Sequence, residues 1–176
     1  MMNNRGFTLT EILIAVAIIG VLVSIGLPIA SGMKRKAQQT TCLSTLRGLG
    51  VGLEAYLSDH NGSMPELYMG RRSKDDESKA VLETELLPYM GDNEFAFQCS
   101  ADHEHFEQTG SSYFWNENLS GFRRDKLTFM GAASDLSVIP LIFDKEAYHG
   151  DENGVNFLYA DHSTKNSVQF ETGSKN

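Results

Sequence analysis

Glu11 stands out chemically because of where it sits. It is a carboxylate at the head of an apolar run, Ile12 to Ala30, in which Ser24 is the one polar side chain. A charge held in lipid costs about 3 kcal/mol on insertion scales, so such an acid needs a cation to answer it. Other groups with chemical potential lie further along. His103 and His105 sit near Cys99, Asp102 and Glu104. On a strand, His-x-His would turn both rings to one face and suit a transition metal. No Cys-x-x-Cys or His-x-x-x-His spacing completes that set, so an acidic surface loop is the favoured reading. Asp144, His149, Asp161 and His162 offer His–Asp couples of the kind used in general-base chemistry. No Gly-x-Ser-x-Gly element supplies a nucleophile, which points to a structural pairing of His149 with Asp161 or a backbone carbonyl. Asp151-Glu152-Asn153-Gly154 gathers oxygens at a turn, part of a calcium loop without its later bidentate Glu. Asp151 and Asn153 are the calcium candidates. Cys42 and Cys99 are the only cysteines. They form one disulfide if the head lies in an oxidising compartment, or two buried thiols otherwise.

The elements that must carry these groups follow from periodicity. At ~1.5 Å per residue the Ile12–Ala30 run is long enough to span a bilayer core of ~30 Å. Pro28 costs that helix one hydrogen bond and loosens the turn before it. Beyond Lys34-Arg35-Lys36, Cys42, Leu46, Leu49, Leu53 and Tyr56 recur at helical spacing and form one apolar stripe. Gly48, Gly50 and Gly52 weaken that helix, or mark a close approach of strands to it. Asp59 to Pro65 (DHNGSMP) stops it. A short helix is expected over Ala80–Leu87, capped by Ser78 and ended by Pro88. Phe95–Cys99 reads as extended and Ser111–Trp115 as an aromatic loop. Val138–Phe143, with Pro140, reads as an edge or irregular strand. Val155–Ala160 and Ser167–Phe170 read as strands joined by a turn at Asp161–Asn166. The expected class is α+β: a long N-terminal α-helix packed against a small head with an antiparallel sheet. The expected divisions are 1–6, 7–30, 31–60 and 61–176.

Arg5-Gly6-Phe7-Thr8-Leu9-Thr10-Glu11 followed by the apolar run resembles the class III signal of type IV pilins and type II secretion pseudopilins. Scattered later residues resemble a pseudopilin subgroup common in Planctomycetes and Verrucomicrobia. They are Cys42-Leu43-Ser44-Thr45-Leu46-Arg47, Phe97-Gln98-Cys99-Ser100-Ala101-Asp102, Ser112-Tyr113 and Gly154 to Asp161. Ser100 stands where that subgroup has proline, and the glycine of its Asp-Gly-His motif is missing at Asp161-His162. The resemblance implies cleavage between Gly6 and Phe7 by a prepilin peptidase and N-methylation of Phe7. It implies that Glu11 neutralises the terminal amine of a neighbouring subunit, and that the helix loosens around Pro28 during packing. The implied partners are copies of the chain in a helical filament, other pilins or pseudopilins, the peptidase and an inner-membrane assembly platform. Secretion pseudopilins often hold calcium in their C-terminal loops, which makes calcium the one cofactor to weigh.

Composition narrows the alternatives. The net charge of −8 argues against nucleic-acid binding, which rests on Lys and Arg neutralising phosphates. All aromatics except Phe7 and Tyr56 lie beyond residue 60, so the packed core is expected there. An ordinary secretory signal would have a shorter apolar core, no acid in it and an Ala-x-Ala site. Counting Lys34, Arg35 and Lys36 against Arg5 would leave the head in the cytoplasm. The resemblance instead implies a single-pass protein of the bacterial inner membrane with a periplasmic head. The expected function is a non-enzymatic filament subunit. The alternative is a membrane-tethered periplasmic binding domain or enzyme whose helix is a plain anchor.

Overall fold

The computed structural model describes residues 8–127, 135–150 and 154–167. One helix, α1, runs from Leu9 to Asp59. It opens at Thr8 with a reciprocal cap. The Thr8 N–H donates to Glu11 Oε2 at 2.8 Å, and the Glu11 N–H donates to Thr8 Oγ1 at 3.3 Å. This is the Thr-x-x-Glu capping box, which satisfies two donors that a helix start otherwise leaves open. The helix closes where Asn61 and Gly62 enter the left-handed region, at φ 53° and 75°. The Gly62 N–H then reaches back to the Leu57 carbonyl at 2.8 Å. Glycine carries no Cβ to oppose that conformation.

The chain divides into two compact units, residues 1–37 and 38–176. In the first, the described part is helix whose large apolar side chains, from Leu9 to Leu27, are exposed. It is long and apolar enough to cross a membrane. Ser24 turns its hydroxyl onto the Val21 carbonyl at 2.7 Å, which removes the cost of a bare hydroxyl in apolar surroundings.

In the second unit the apolar stripe of α1 is inside. Cys42, Leu46, Leu49 and Leu53 are fully buried and Leu57 nearly so, while Tyr56 is half-buried. They share one core with Leu82, Leu86, Phe97, Trp115, Ile139, Leu141, Ile142 and Leu158. Fully burying a side chain of this size stabilises by about 1.5–3 kcal/mol, so the stripe is a large share of what holds the head together. Gly50 lets Leu158 come close: a Cβ there would lie 3.3 Å from the methyl carbons of that side chain. Gly48 faces nothing within 4 Å.

The head carries α2 (Leu82–Glu85), α3 (His105–Thr109) and an antiparallel sheet of four strands. The strands are β1 (Tyr113–Trp115), β2 (Pro140–Asp144), β3 (Phe157–Tyr159) and β4 (Thr164–Lys165), in the order β1-β2-β3-β4. Tyr113 pairs with Asp144, and Ile142 with Leu158. The α+β class and the small antiparallel sheet agree with expectation.

Several local expectations need correction. Tyr113–Trp115 is a strand rather than a loop, because the Tyr113 and Trp115 side chains both enter the core. Of the two readings for the Pro140 strand, edge or irregular, the second holds: it is interior to the sheet and irregular at its start. Proline sits at its first position, and a register shift between Pro140 and Ile142 absorbs its missing N–H. Glu94–Phe97 is a 3-10 turn rather than extended, since Asn93 Oδ1 caps it by accepting from the Phe95 N–H at 3.1 Å. The short helix starts after Val81, whose N–H donates to Thr84 Oγ1 at 3.1 Å, while the Ser78 hydroxyl donates to Asp76 at 2.5 Å. Pro88 does not stop the chain's helical path; it sits at the start of a 3-10 turn, Leu87–Met90, where its missing N–H costs nothing. Among the described residues the last strand lies at Thr164–Lys165, inside the stretch expected to turn. The turn itself is shorter, with the Tyr159 N–H bonded to the Ser163 carbonyl at 2.9 Å. Residues 168–170 lie outside the described part.

Candidate assembly helix and the head around its disulfide

Gly6 and Phe7 lie outside the described residues. The first described residues show how Glu11 is held. Its Oε2 accepts from both the Thr8 N–H and the Thr8 hydroxyl, the latter at 2.9 Å. Both bonds use one carboxylate oxygen and aim the acid toward the helix's N-terminal end. Thr8 is a residue the sequence reading passed over, although Thr-x-x-Glu before an apolar run announces this cap. The backbone of α1 stays helical through Pro28. Proline there leaves the Ser24 carbonyl without its usual helical donor.

In the head, Cys42 and Cys99 are joined as a disulfide with Cα atoms 5.0 Å apart, within the ordinary range. It closes a loop over a sequence separation of 57 and ties α1 to the stretch before α3. The Ser100 N–H donates to Cys42 Sγ at 3.1 Å. The Cys99 N–H donates to Ser112 Oγ at 2.9 Å, and Ser112 donates to Asp102 Oδ2 at 2.6 Å. Asp102 also accepts from the N–H groups of Glu104, His105 and Phe106, each at 2.9 Å. Burial alone would raise this carboxyl, but Ser112 and the three backbone donors outweigh it and hold it below the usual range.

His149 does not pair with Asp161. Its Nε2 lies 3.4 Å from Cys99 Sγ and 3.9 Å from Asp144 Oδ2. Asp161 is exposed and caps its own turn through Ser163, 2.9 Å from that residue's N–H. Asp144, the last residue of β2, is buried and accepts from the Asn156 N–H at 2.8 Å. Burial, only partly offset by Asn156, pushes its carboxyl up to about 7. Burial likewise pushes the His149 imidazole down. Both groups are therefore driven toward neutrality, as a dry site demands. His162 instead meets Glu54 of α1 at 2.6 Å, and Arg124 shares that carboxylate. His105 opens α3 and pairs with Glu146 at 3.0 Å, so the His-x-His pair does not lie on a strand. Among the described residues, the cluster of metal-ligating side chains is Cys42, Cys99 and His149. The calcium candidates Asp151 and Asn153 fall outside the described residues.

The chain is similar to the type II secretion system core protein G of Escherichia coli, with 40% identity over 91 residues covering 52% of this chain and 57% of that protein. It is similar to the core protein G of Klebsiella pneumoniae, with 39% identity over 61 residues covering 35% of this chain and 44% of that one. The ComG operon protein 3 homolog of Bacillus licheniformis is 29% identical over 87 residues, covering 46% of this chain and 90% of that protein. The matches to core protein G span about half of those relatives or less. No solved structure matches significantly. Residues 1–27 match the prokaryotic N-terminal methylation motif. The methylation motif and these relatives together support a type IV pilin or pseudopilin reading of the chain. The matched relatives point to a structural subunit rather than an enzyme. The exposed apolar helix of this pseudopilin-like chain fits inner-membrane anchoring.

Proposed function

We propose that this chain is a filament subunit made as an inner-membrane precursor. A prepilin peptidase cuts between Gly6 and Phe7 and methylates the new amine of Phe7. The head then lies on the periplasmic side, and an inner-membrane platform packs the apolar helices into a pilus or pseudopilus. The observation that carries this reading is Glu11, an acid fixed at the head of a helix whose large apolar side chains from Leu9 to Leu27 are exposed. Such a surface needs either lipid or neighbouring helices, and such an acid needs a cation. A neighbouring subunit's freed amine supplies one, and the pairing fixes the axial register between protomers. Pro28, with the carbonyl it leaves open, is where the helix yields during packing.

Two variants test the steps separately. Gly6→Ala leaves the leader attached, read as the intact N-terminal mass; normal trimming refutes the processing step. Glu11→Ala is trimmed normally yet is depleted from sheared filaments. Equal recovery with wild type removes the register role. We also propose Asp151 and Asn153 as calcium ligands. A melting temperature identical in calcium and in chelator counts against this.

A further inference from the structure

A cavity of about 370 Å³ opens in the head against α2. That volume lies at the lower end of small-molecule pockets, ~300–1,000 Å³. Arg71 and Lys74 line it with cations, Glu83 and Glu94 with carboxylates, and Leu87 and Phe97 with apolar surface. Arg71 is fixed along one edge of its guanidinium. Its Nε donates to Glu83 Oε1 at 2.9 Å and to the Thr109 carbonyl at 2.8 Å, and its Nη1 donates to the Lys74 carbonyl at 2.9 Å. Its Nη2 makes no hydrogen bond among the described residues, although the side chain is only 11% exposed. Gly110, at φ 87°, keeps the space around that nitrogen open: a Cβ there would lie 2.9 Å from Arg71 Nη2 and 3.5 Å from Glu83 Cγ. A half-used guanidinium fork in a desolvated setting suits a carboxylate. The Lys74 ammonium lies 4.9 Å from the centre of the Phe106 ring, and neither it nor Glu94 has an ion-pair partner among the described residues. Two charges of each sign leave the lining neutral overall. A lone anion or a lone cation would meet a like charge there, whereas a ligand carrying both signs meets an opposite charge at each end.

We propose that this cavity binds a free α-amino acid with a small apolar side chain. The ligand carboxylate takes the open Nη2 of Arg71 and the Lys74 ammonium. The ligand ammonium meets Glu94, and the apolar side chain covers Leu87 and Phe97. Glu83 is a positioning residue: it holds the Nε edge of Arg71 and leaves the rest of the fork to the ligand. The inference goes beyond the filament reading and does not rest on it, since the cavity lies wholly within the head.

The test uses the full chain in deuterated detergent, titrated with L-leucine and followed by saturation transfer to the leucine methyl protons, with protein-free micelles as the baseline. Leucine binds with a Kd of about 1 mM, as suits so small a ligand. Isocaproate lacks its ammonium and isoamylamine its carboxylate, and each binds about tenfold more weakly or worse. Lys74→Ala and Glu94→Gln, neither of them in the core, each weaken leucine about tenfold. Arg71→Met combined with Glu83→Met removes the buried pair as a unit, keeps the fold by Trp115 fluorescence and abolishes binding. A wild-type chain that gives no transfer above the baseline overturns the proposal. So does either one-charge analogue binding as tightly as leucine, or leucine binding that Lys74→Ala and Glu94→Gln leave unchanged.

Discussion

Replacing Asp102 by alanine removes one carboxylate and strands four donors. Three are the N–H groups of Glu104, His105 and Phe106 at the start of α3, each 2.9 Å away. Loss of a helix cap costs about 1 kcal/mol. The fourth is the hydroxyl of the fully buried Ser112, at 2.6 Å. A buried hydroxyl without its acceptor costs about 1–3 kcal/mol. The expected loss is therefore about 3 kcal/mol at neutral pH, a large part of a domain's margin. Asp102→Asn keeps one acceptor oxygen and loses less. The sign of the pH dependence follows from the depressed carboxyl. Its stabilisation is complete above the unfolded carboxylate range near 4 and disappears as pH falls through the lower folded value. The gap between wild type and Asp102→Asn should thus be full at pH 6 and shrink below pH 4. Subtracting the variant cancels the opposite contribution of Asp144. Trp115, the single tryptophan and fully buried, reports unfolding by its fluorescence in a urea titration. An alanine variant within about 0.5 kcal/mol of wild type, or a gap that does not narrow in acid, refutes the reasoning.

Arg71 donates to Glu83 at 2.9 Å, and its side chain and that of Glu83 are only 11% and 6% exposed. Arg71→Ala strands an acid that burial already pushes up, so it should cost about 3–5 kcal/mol. Because the folded Glu83 is raised, the variant's stability should fall further as pH rises through that value; a pH-independent urea midpoint would contradict this. Gly48 has open space around it, and Gly48→Ala should stabilise α1 by about 1 kcal/mol. Gly50→Ala should gain less, since its methyl would sit 3.2 Å from His162 Nδ1. Thermal melting of the pair gives the order, and the reverse order would show that the β3 contact is not tight.

Much of this molecule is legible in its sequence where burial follows period. The α1 stripe from Cys42 to Leu53 is named by spacing alone, because one helix face meets one core. The apolar anchor and its acid are equally plain. Legibility fails where a single polar contact decides the local form. Nothing in the Phe95–Cys99 string says that Asn93 will cap a 3-10 turn rather than let the chain extend. Tyr113–Trp115 is too short for alternation to announce a strand, and what makes it one is its pairing with β2. Pro140 points to an edge until the register shift beside it is known. The meeting of His149 with Cys99 and Asp144 joins three distant stretches, and sequence carries no distances of that kind.

The position of the crosslink bears on how the molecule carries force. Cys42 lies near the start of the buried stripe, so tension drawn along α1 from its N-terminal side meets a covalent shortcut to Cys99 almost as soon as it enters the head. Everything between those two cysteines, including most of the stripe and α2, is bypassed by the pull. A reducing agent would lengthen that mechanical path and put the loop itself under strain, turning a stiff joint into a spring.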